Sequence, residues 1–272
     1  MLSINSKKQL LQFLAEDIGS GDITSALLPK KKISAKIISR ENAIVAGAVY
    51  AKNIFKLKGC NVKIVKKDGS KIKPNQTIMT IRGDAGKILT CERTALNILT
   101  RMSGIATQTN ELVKKIPTKT KLYATRKTAP GLRYFDKEAV AIGGGKKHRL
   151  RLDEMVMIKD NHIAIEGSLS SLIKKAKRKY KKFEVEVENT PDAVHAAKEG
   201  ATIIMLDNFS PAQIKKTIQV LKNQRLRNKI MLEASGGINS KNIVNYGKTG
   251  VDIISVGSIT NSVKGIDMSL EI

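Results

Sequence analysis

Three observations predict an α/β protein whose C-terminal part is a parallel sheet clothed in helices. Short apolar runs recur from about residue 120 onward, helix-compatible segments separate the later ones, and the runs are nearly continuous rather than alternating. Strands of that kind are buried on both faces, as in a parallel sheet covered by crossover helices. The runs are Lys121–Ala124, Met155–Ile158, Phe183–Val187, Ile203–Leu206, Ile230–Leu232 and Val251–Val256, with helical segments at 191–199, 211–222 and 240–247. Six such units favour a closed or nearly closed β/α barrel, with an open doubly wound sheet as the alternative.

The chain ahead of this region has a different rhythm. Lys7 to Ala15 is amphipathic, with Leu10, Leu11 and Leu14 on one side, and the Gly/Asp-rich turn Glu16–Asp22 follows it. From about Ile33 to Arg82 the pattern reads as strands. Val62-Lys63-Ile64 alternates, Asp68-Gly69 and Pro74-Asn75 are turns, and Ile78–Ile81 resumes an apolar run. Ile88, Cys91, Ala95, Ile98 and Met102 then recur at helical spacing, which predicts a helix over 87–102 that Ser103-Gly104 ends or bends.

Composition narrows the function. A chain of 272 residues with 41% hydrophobic residues can bury a sizeable core, and no apolar run approaches the ~18 residues of a membrane helix. No apolar h-region follows the N-terminal Met-Leu-Ser-Ile-Asn-Ser-Lys-Lys, so a cytoplasmic protein is expected. The two cysteines, Cys60 and Cys91, make neither a disulfide framework nor a CxxC motif. A formal charge of +25 points to anionic ligands. The basic residues are spread along the chain and aromatics make up only 4%, which argues against a dedicated nucleic-acid interface.

Polar residues close each apolar run. Thr125-Arg126-Lys127 follows the first, Lys159-Asp160-Asn161-His162 the second and Glu188 the third. Asp207-Asn208, Glu233-Ala234-Ser235-Gly236-Gly237 and Gly257-Ser258 follow the others. In a β/α barrel the C-terminal strand ends share one face, so these groups converge on a single site. One charged strand end is an ordinary solvated loop residue; six in succession, cations early and carboxylates late, predict a site. Arg126, Lys127, Arg149 and Lys159 suit carboxylates or phosphates. Glu188 and Asp207 suit a hard cation such as Mg²⁺, the alternative being a salt-bridged pair of barrel residues. Ser235-Gly236-Gly237 and Gly257-Ser258 come late in the barrel, where backbone N–H groups often cradle a phosphate.

The three histidines lack zinc-site spacing. His195 sits mid-helix on surface or packing duty, His162 fixes its loop, and His148, beside Arg149 in a glycine-led segment, suits an anion contact. There is no GxSxG, P-loop or dinucleotide fingerprint. Glu233, inside an apolar strand, has no assigned role.

With these residues in place, the sequence resembles the quinolinate phosphoribosyltransferases over essentially its whole length. The stretches that carry the likeness are Glu16–Thr24, Glu92-Arg93-Thr94-Ala95-Leu96-Asn97, Thr125-Arg126-Lys127-Thr128, Gly143–Gly145 with His148-Arg149, and Ile158–His162. Glu188, Leu206–Phe209 and Ser235–Ile238 complete them, while Arg151 and Ala129 depart from the family's usual Gly and Thr. Both departures flank the site without removing a charged member. The resemblance implies an N-terminal α/β sandwich over 1–104 and an incomplete β/α barrel over 105–264, with the tail 265–272 returning to the sandwich. It implies homodimers in which each sandwich covers the partner's barrel.

By residue, the resemblance implies that Arg126, Lys127, His148, Arg149 and Lys159 bind the two carboxylates of quinolinate, joined by Arg93 from the neighbouring subunit. Glu188 and Asp207 face the ribose hydroxyls and Mg²⁺ of phosphoribosyl pyrophosphate. Ser235, Gly236 and Gly237, with Val256, Gly257 and Ser258, hold its 5′-phosphate, and Thr125 is a further substrate-binding residue. Lys127 and Lys159 either assist decarboxylation or only bind. No organic cofactor is implied. Two rivals are a molybdenum-uptake-associated homologue, against which the complete Lys159–His162 run argues, and a nicotinate phosphoribosyltransferase, for which fewer cations are expected.

Overall fold

The computed structural model describes residues 4–272, with side chains from residue 6. Met1–Ser3, the start of the stretch read above for a secretory signal, lie outside the described residues. The chain forms two compact units, Met1–Asn110 with Glu138–Gly144 and Val263–Ile272, and Glu111–Lys137 with Gly145–Ser262.

In the first unit, helix α1 (Ile4–Ile18) buries Leu10 and Leu14, whereas Leu11 is 46% exposed. Residues four apart stack on one face, and residue 11 falls at the edge of that stripe. Strands β1 (Lys32–Ser39), β2 (Ala43–Ile44), β3 (Asn61–Ile64), β4 (Lys71–Ile72) and β5 (Thr77–Asp84) follow. The C-terminal strand Met268–Glu271 pairs antiparallel with β1, and β5 bridges β1 and β3 in the same sheet. Ala35, Ile37, Val62, Met79 and Ile81 face inward, while Lys36, Lys63 and Arg82 stay exposed, so part of the excess positive charge is a solvated sheet face.

A helix interrupts the region that reads as strands. Helix α2 (Ala48–Leu57) buries Ala48, Tyr50, Ala51, Ile54 and Phe55. Gly47 (φ 95°) precedes it, and the Asp68 carboxylate accepts the Ala48 N–H at 2.8 Å, capping the first turn. The expected break at Ser103-Gly104 does not occur, and α3 runs unbroken over Ala85–Val113. The Ser103 hydroxyl bonds the backbone of Ala46 instead. Gly104 lets the chain come close, since a Cβ there would lie 2.1 Å from the Lys264 carbonyl oxygen. Packing supplies what helix propensity lacks.

The second unit carries β6 (Lys121–Ala124), β7 (Val156–Ile158), β8 (Phe183–Val187), β9 (Ile203–Asp207), β10 (Met231–Ser235) and β11 (Ile253–Val256). They form one parallel sheet in the order β6-β11-β10-β9-β8-β7. Helix α4 (Arg133–Ile142) follows β6. The later crossovers are α5 (Asp160–Glu166), α6 (Leu169–Lys179), α7 (Thr190–Glu199), α8 (Pro211–Asn223), α9 (Ile243–Gly247) and α10 (Ser258–Asn261). Ser168, Asn189 and Ser210 accept backbone N–H bonds as N-caps of α6, α7 and α8, each worth about 1 kcal/mol.

The barrel is incomplete because β6 and β7 do not pair. A single parallel bridge from Tyr123 to Lys146 continues the sheet past β6, with the Lys146 N–H on the Leu122 carbonyl at 2.8 Å. Outward-facing Phe183, Val185 and Val187 are buried under the helices. The alternate residues point to the barrel axis, where the polar groups collect.

Candidate active site

Side chains point to alternate faces along a strand, so each barrel strand delivers every second residue to the interior. Tyr123 and Thr125, Met157 and Lys159, Glu184 and Glu186, Met205 and Asp207, Glu233 and Ser235, and Ser255 follow this rule. All but the deeper Tyr123 and Glu184 border a cleft of about 410 Å³ at the C-terminal strand ends. Its lining includes Thr125, Arg126, Lys127, His148, Arg149, Lys159, Asp207 and Ser235 from the expected set, with Met157, Glu186, Met205, Glu233 and Ser255 besides.

The cations are held by their surroundings. The Thr125 Oγ1 accepts the Lys127 N–H at 3.1 Å, and the Thr260 hydroxyl donates to the Lys127 carbonyl at 2.8 Å. Arg149 donates to the Met155 carbonyl at 2.8 Å. Burial lowers the Arg149 pKa, and the Arg126 guanidinium lowers it further, so two like charges share one side of the cleft. The Arg126 Nε is buried with no hydrogen-bond partner in the protein. Lys159 pairs with Glu186.

His148 adopts the left-handed conformation (φ 51°), uncommon for a residue with a side chain. Its ring is directed into the barrel, with Nε2 3.2 Å from Glu184 Oε2 and 3.5 Å from Glu233 Oε2. Tyr123 meets the ring edge-on at 5.5 Å. Burial works against the charged ring, but the two carboxylates facing it outweigh burial and raise the pKa to about 9. Burial in turn raises the Glu184 pKa. Among the described residues, His148, Glu184 and Glu233 are the grouping of three potential metal ligands close enough to share an ion. The bridging ring proton is the simpler occupant, and Glu233 gains a place in the site that its sequence context did not give it.

Other expected residues stand outside this lining. Glu188 lies one residue beyond β8, is exposed, and does not line the cleft; Glu186, two residues earlier on the inward face, occupies that place. The even-numbered glutamates of Phe183–Glu188 carried this signal, because a period of two puts all of them on one face and only the earlier two inside the strand. Gly236 (φ 92°) and Gly237 (φ 61°) shape the loop after Ser235, and a Cβ on Gly236 would lie 2.2 Å from Asn208 Oδ1. Val256 is buried, and Gly257 and Ser258 begin α10, where a Gly257 Cβ would meet the Lys127 side chain at 3.2 Å. Arg93 is exposed on α3 in the first unit. The His162 Nδ1 accepts the Lys159 N–H at 3.0 Å, and His195 bonds Ser170 at 2.5 Å across two helices.

Comparison with known proteins places this arrangement. Residues 22–103 match the N-terminal domain of quinolinate phosphoribosyl transferase, and residues 105–271 match its C-terminal domain. The chain belongs to the quinolinate phosphoribosyltransferase family. Within that family it is 43% identical over 269 residues to the probable nicotinate-nucleotide pyrophosphorylase [carboxylating] of Methanothermobacter thermautotrophicus, covering 96% of each chain. It is 44% identical over 282 residues to the protein of the same description from Methanocaldococcus jannaschii, covering 100% of this chain and 99% of that one. The solved nicotinate-nucleotide pyrophosphorylase of Francisella tularensis superposes with a TM-score of 0.93 at 40% identity, covering 100% of this chain and 97% of the other. As a quinolinate phosphoribosyltransferase, the chain is a pentosyltransferase of NAD biosynthesis. No helix among the described residues is long and apolar enough to cross a membrane.

Proposed function

We propose that the barrel cleft binds quinolinate beside phosphoribosyl pyrophosphate and joins them with loss of one carboxylate. One observation carries this reading: Arg126, Lys127, Arg149 and Lys159 border the same cleft as the carboxylates Glu186 and Asp207. Four cations suit a dicarboxylate, and the buried, unpartnered Arg126 Nε suits an anionic oxygen. His148 supports that side, and Arg93 joins it from the partner of a homodimer. Asp207 and Glu186, the latter in place of Glu188, face the ribose hydroxyls. Ser235–Gly237 and Val256–Ser258 take the 5′-phosphate on a backbone that glycine leaves open.

The two carboxylates are hard oxygen donors and fit Mg²⁺ arriving with the pyrophosphate. Bound there, the ion supplies charge neutralisation to the pyrophosphate oxygens. The chain's own residues align the reactants. The cations fix the quinolinate ring with its nitrogen towards C1 of the ribose. That nitrogen forms the new N–C1 bond as the C1–O bond to pyrophosphate breaks, the electron pair leaving with pyrophosphate. Glu186 and Asp207 are placed to stabilise the positive charge developing on the ribose. The bond from C2 to its carboxylate then breaks. CO₂ departs, the electron pair remains on C2 beside the ring N⁺, and a solvent proton takes it up to give nicotinate mononucleotide. No protein nucleophile takes part, and the reaction is assigned to the cytoplasm.

Incubation with phosphoribosyl pyrophosphate and either quinolinate or nicotinate tests the reading. Nicotinate mononucleotide and CO₂ are expected from quinolinate, with no turnover of nicotinate. Equal use of nicotinate contradicts it.

A further inference from the structure

Lys137 is fully buried in α4, and no carboxylate forms an ion pair with it among the described residues. A charge in such a place is costly unless every donor is used. Its three donors are used: Nζ bonds the carbonyls of Ala124 at 3.2 Å, Arg149 at 2.7 Å, and Lys147. An ammonium has three N–H groups and no acceptor, so the set is saturated. The three carbonyls have a common meaning. Ala124 ends β6, immediately before Thr125-Arg126, and Lys147 and Arg149 bracket His148 in its left-handed conformation. One buried ammonium therefore ties the backbone that presents Arg126 to the backbone that presents Arg149.

We propose that Lys137 is a positioning residue for the aromatic dicarboxylate, acting by clamping these two segments so that both guanidiniums address one ligand. This inference rests on the assignment of Arg126 and Arg149 as the carboxylate binders. Removing the ammonium frees two segments on the quinolinate side of the cleft and touches nothing on the Glu186–Asp207 side. Arg133 of its own helix, Glu154, Arg126 and Arg149 are the charged groups that act on Lys137. Burial and the three arginines outweigh Glu154 and bring its pKa down to about 8. Above that value the neutral amine turns a lone pair towards a carbonyl, and the clamp loses a bond.

The test measures binding of phthalate, which has the two carboxylates of quinolinate but no ring nitrogen to react, and of phosphoribosyl pyrophosphate. Lys137→Met and Arg149→Ala are compared with the wild-type chain, with circular dichroism recorded for each. The expected result is a folded Lys137→Met with phthalate binding weakened about tenfold or more and phosphoribosyl pyrophosphate binding within about threefold. Unchanged phthalate binding, or equal loss for both ligands, overturns the proposal. If Arg149→Ala weakens phthalate binding and Lys137→Met does not, the clamp alone fails. If Arg149→Ala leaves phthalate binding unchanged, the carboxylate assignment fails and the clamp with it. Should Lys137→Met not fold, phthalate affinity is followed from about pH 7 to 9.5 in a His148→Asn chain, where the ring that titrates near pH 9 is removed. A decline centred near pH 8 supports the clamp, and a flat profile overturns it.

Discussion

His148 Nε2 lies 3.2 Å from the carboxylate of Glu184, a residue with no exposed surface. This contact lies behind the cleft and sets the charge of the ring. The folded pKa of about 9 stands above the ordinary value of 6.5. The stabilisation is therefore complete below pH 6.5 and disappears as pH rises through about 9.

A shift of that size corresponds to about 3 kcal/mol. Lys137 acts in the opposite sense, since its folded pKa lies below the unfolded one and its penalty lessens on deprotonation. The informative comparison is therefore wild type against His148→Asn, because Asn tolerates the left-handed backbone. Thermal unfolding across this range should show the wild type losing more stability at alkaline pH than the variant. Parallel curves would detach the ring from its carboxylates.

Arg149→Ala should weaken quinolinate binding by about 1.5–3 kcal/mol, because a charge-assisted contact is lost. Binding of phosphoribosyl pyrophosphate should change much less. Calorimetric titration of each ligand decides, and the opposite order would mean that the two ligands have exchanged places.

Glu186 and Glu188 separate the strand interior from its exposed end. Glu186→Ala and Asp207→Ala should each lose most activity, and excess chelator should abolish it in the wild type. Glu188→Ala should retain nearly all turnover. A dead Glu188→Ala beside an active Glu186→Ala would reverse the assignment.

Arg93 is exposed on its own chain and is assigned to the partner's cleft. Mixing inactive Arg93→Ala and Lys159→Ala chains should form mixed dimers in about half of cases, each with one intact site. Roughly a quarter of wild-type activity should then return. If mass spectrometry shows exchange and activity stays at the parental level, Arg93 does not act across the interface.

The six barrel strands were legible because apolar residues occupy their helix-facing positions, leaving polar residues at their C-terminal ends. Helix α2 was not legible: Val49, Tyr50, Ile54 and Phe55 suit a strand as well, and its packing decides the outcome. Most of the cation set followed from chain position. The sequence points to Glu188 where Glu186 lines the cleft, because sequence marks the end of an apolar run less sharply than backbone pairing marks the end of a strand. Lys137 gave no signal, since a lysine in Arg133–Ile142 reads as part of a solvated helix face, and only the three carbonyls around it reveal the interior.

Release of labelled CO₂ from quinolinate tests the central assignment most directly. With phosphoribosyl pyrophosphate present, label in the 2-carboxylate should appear as CO₂ in step with nicotinate mononucleotide, and label in the 3-carboxylate should stay in the product. Arg149→Ala should suppress this release at low quinolinate concentration. Product formed without CO₂, label released from the 3-position, or an Arg149→Ala chain indistinguishable from wild type would contradict the account.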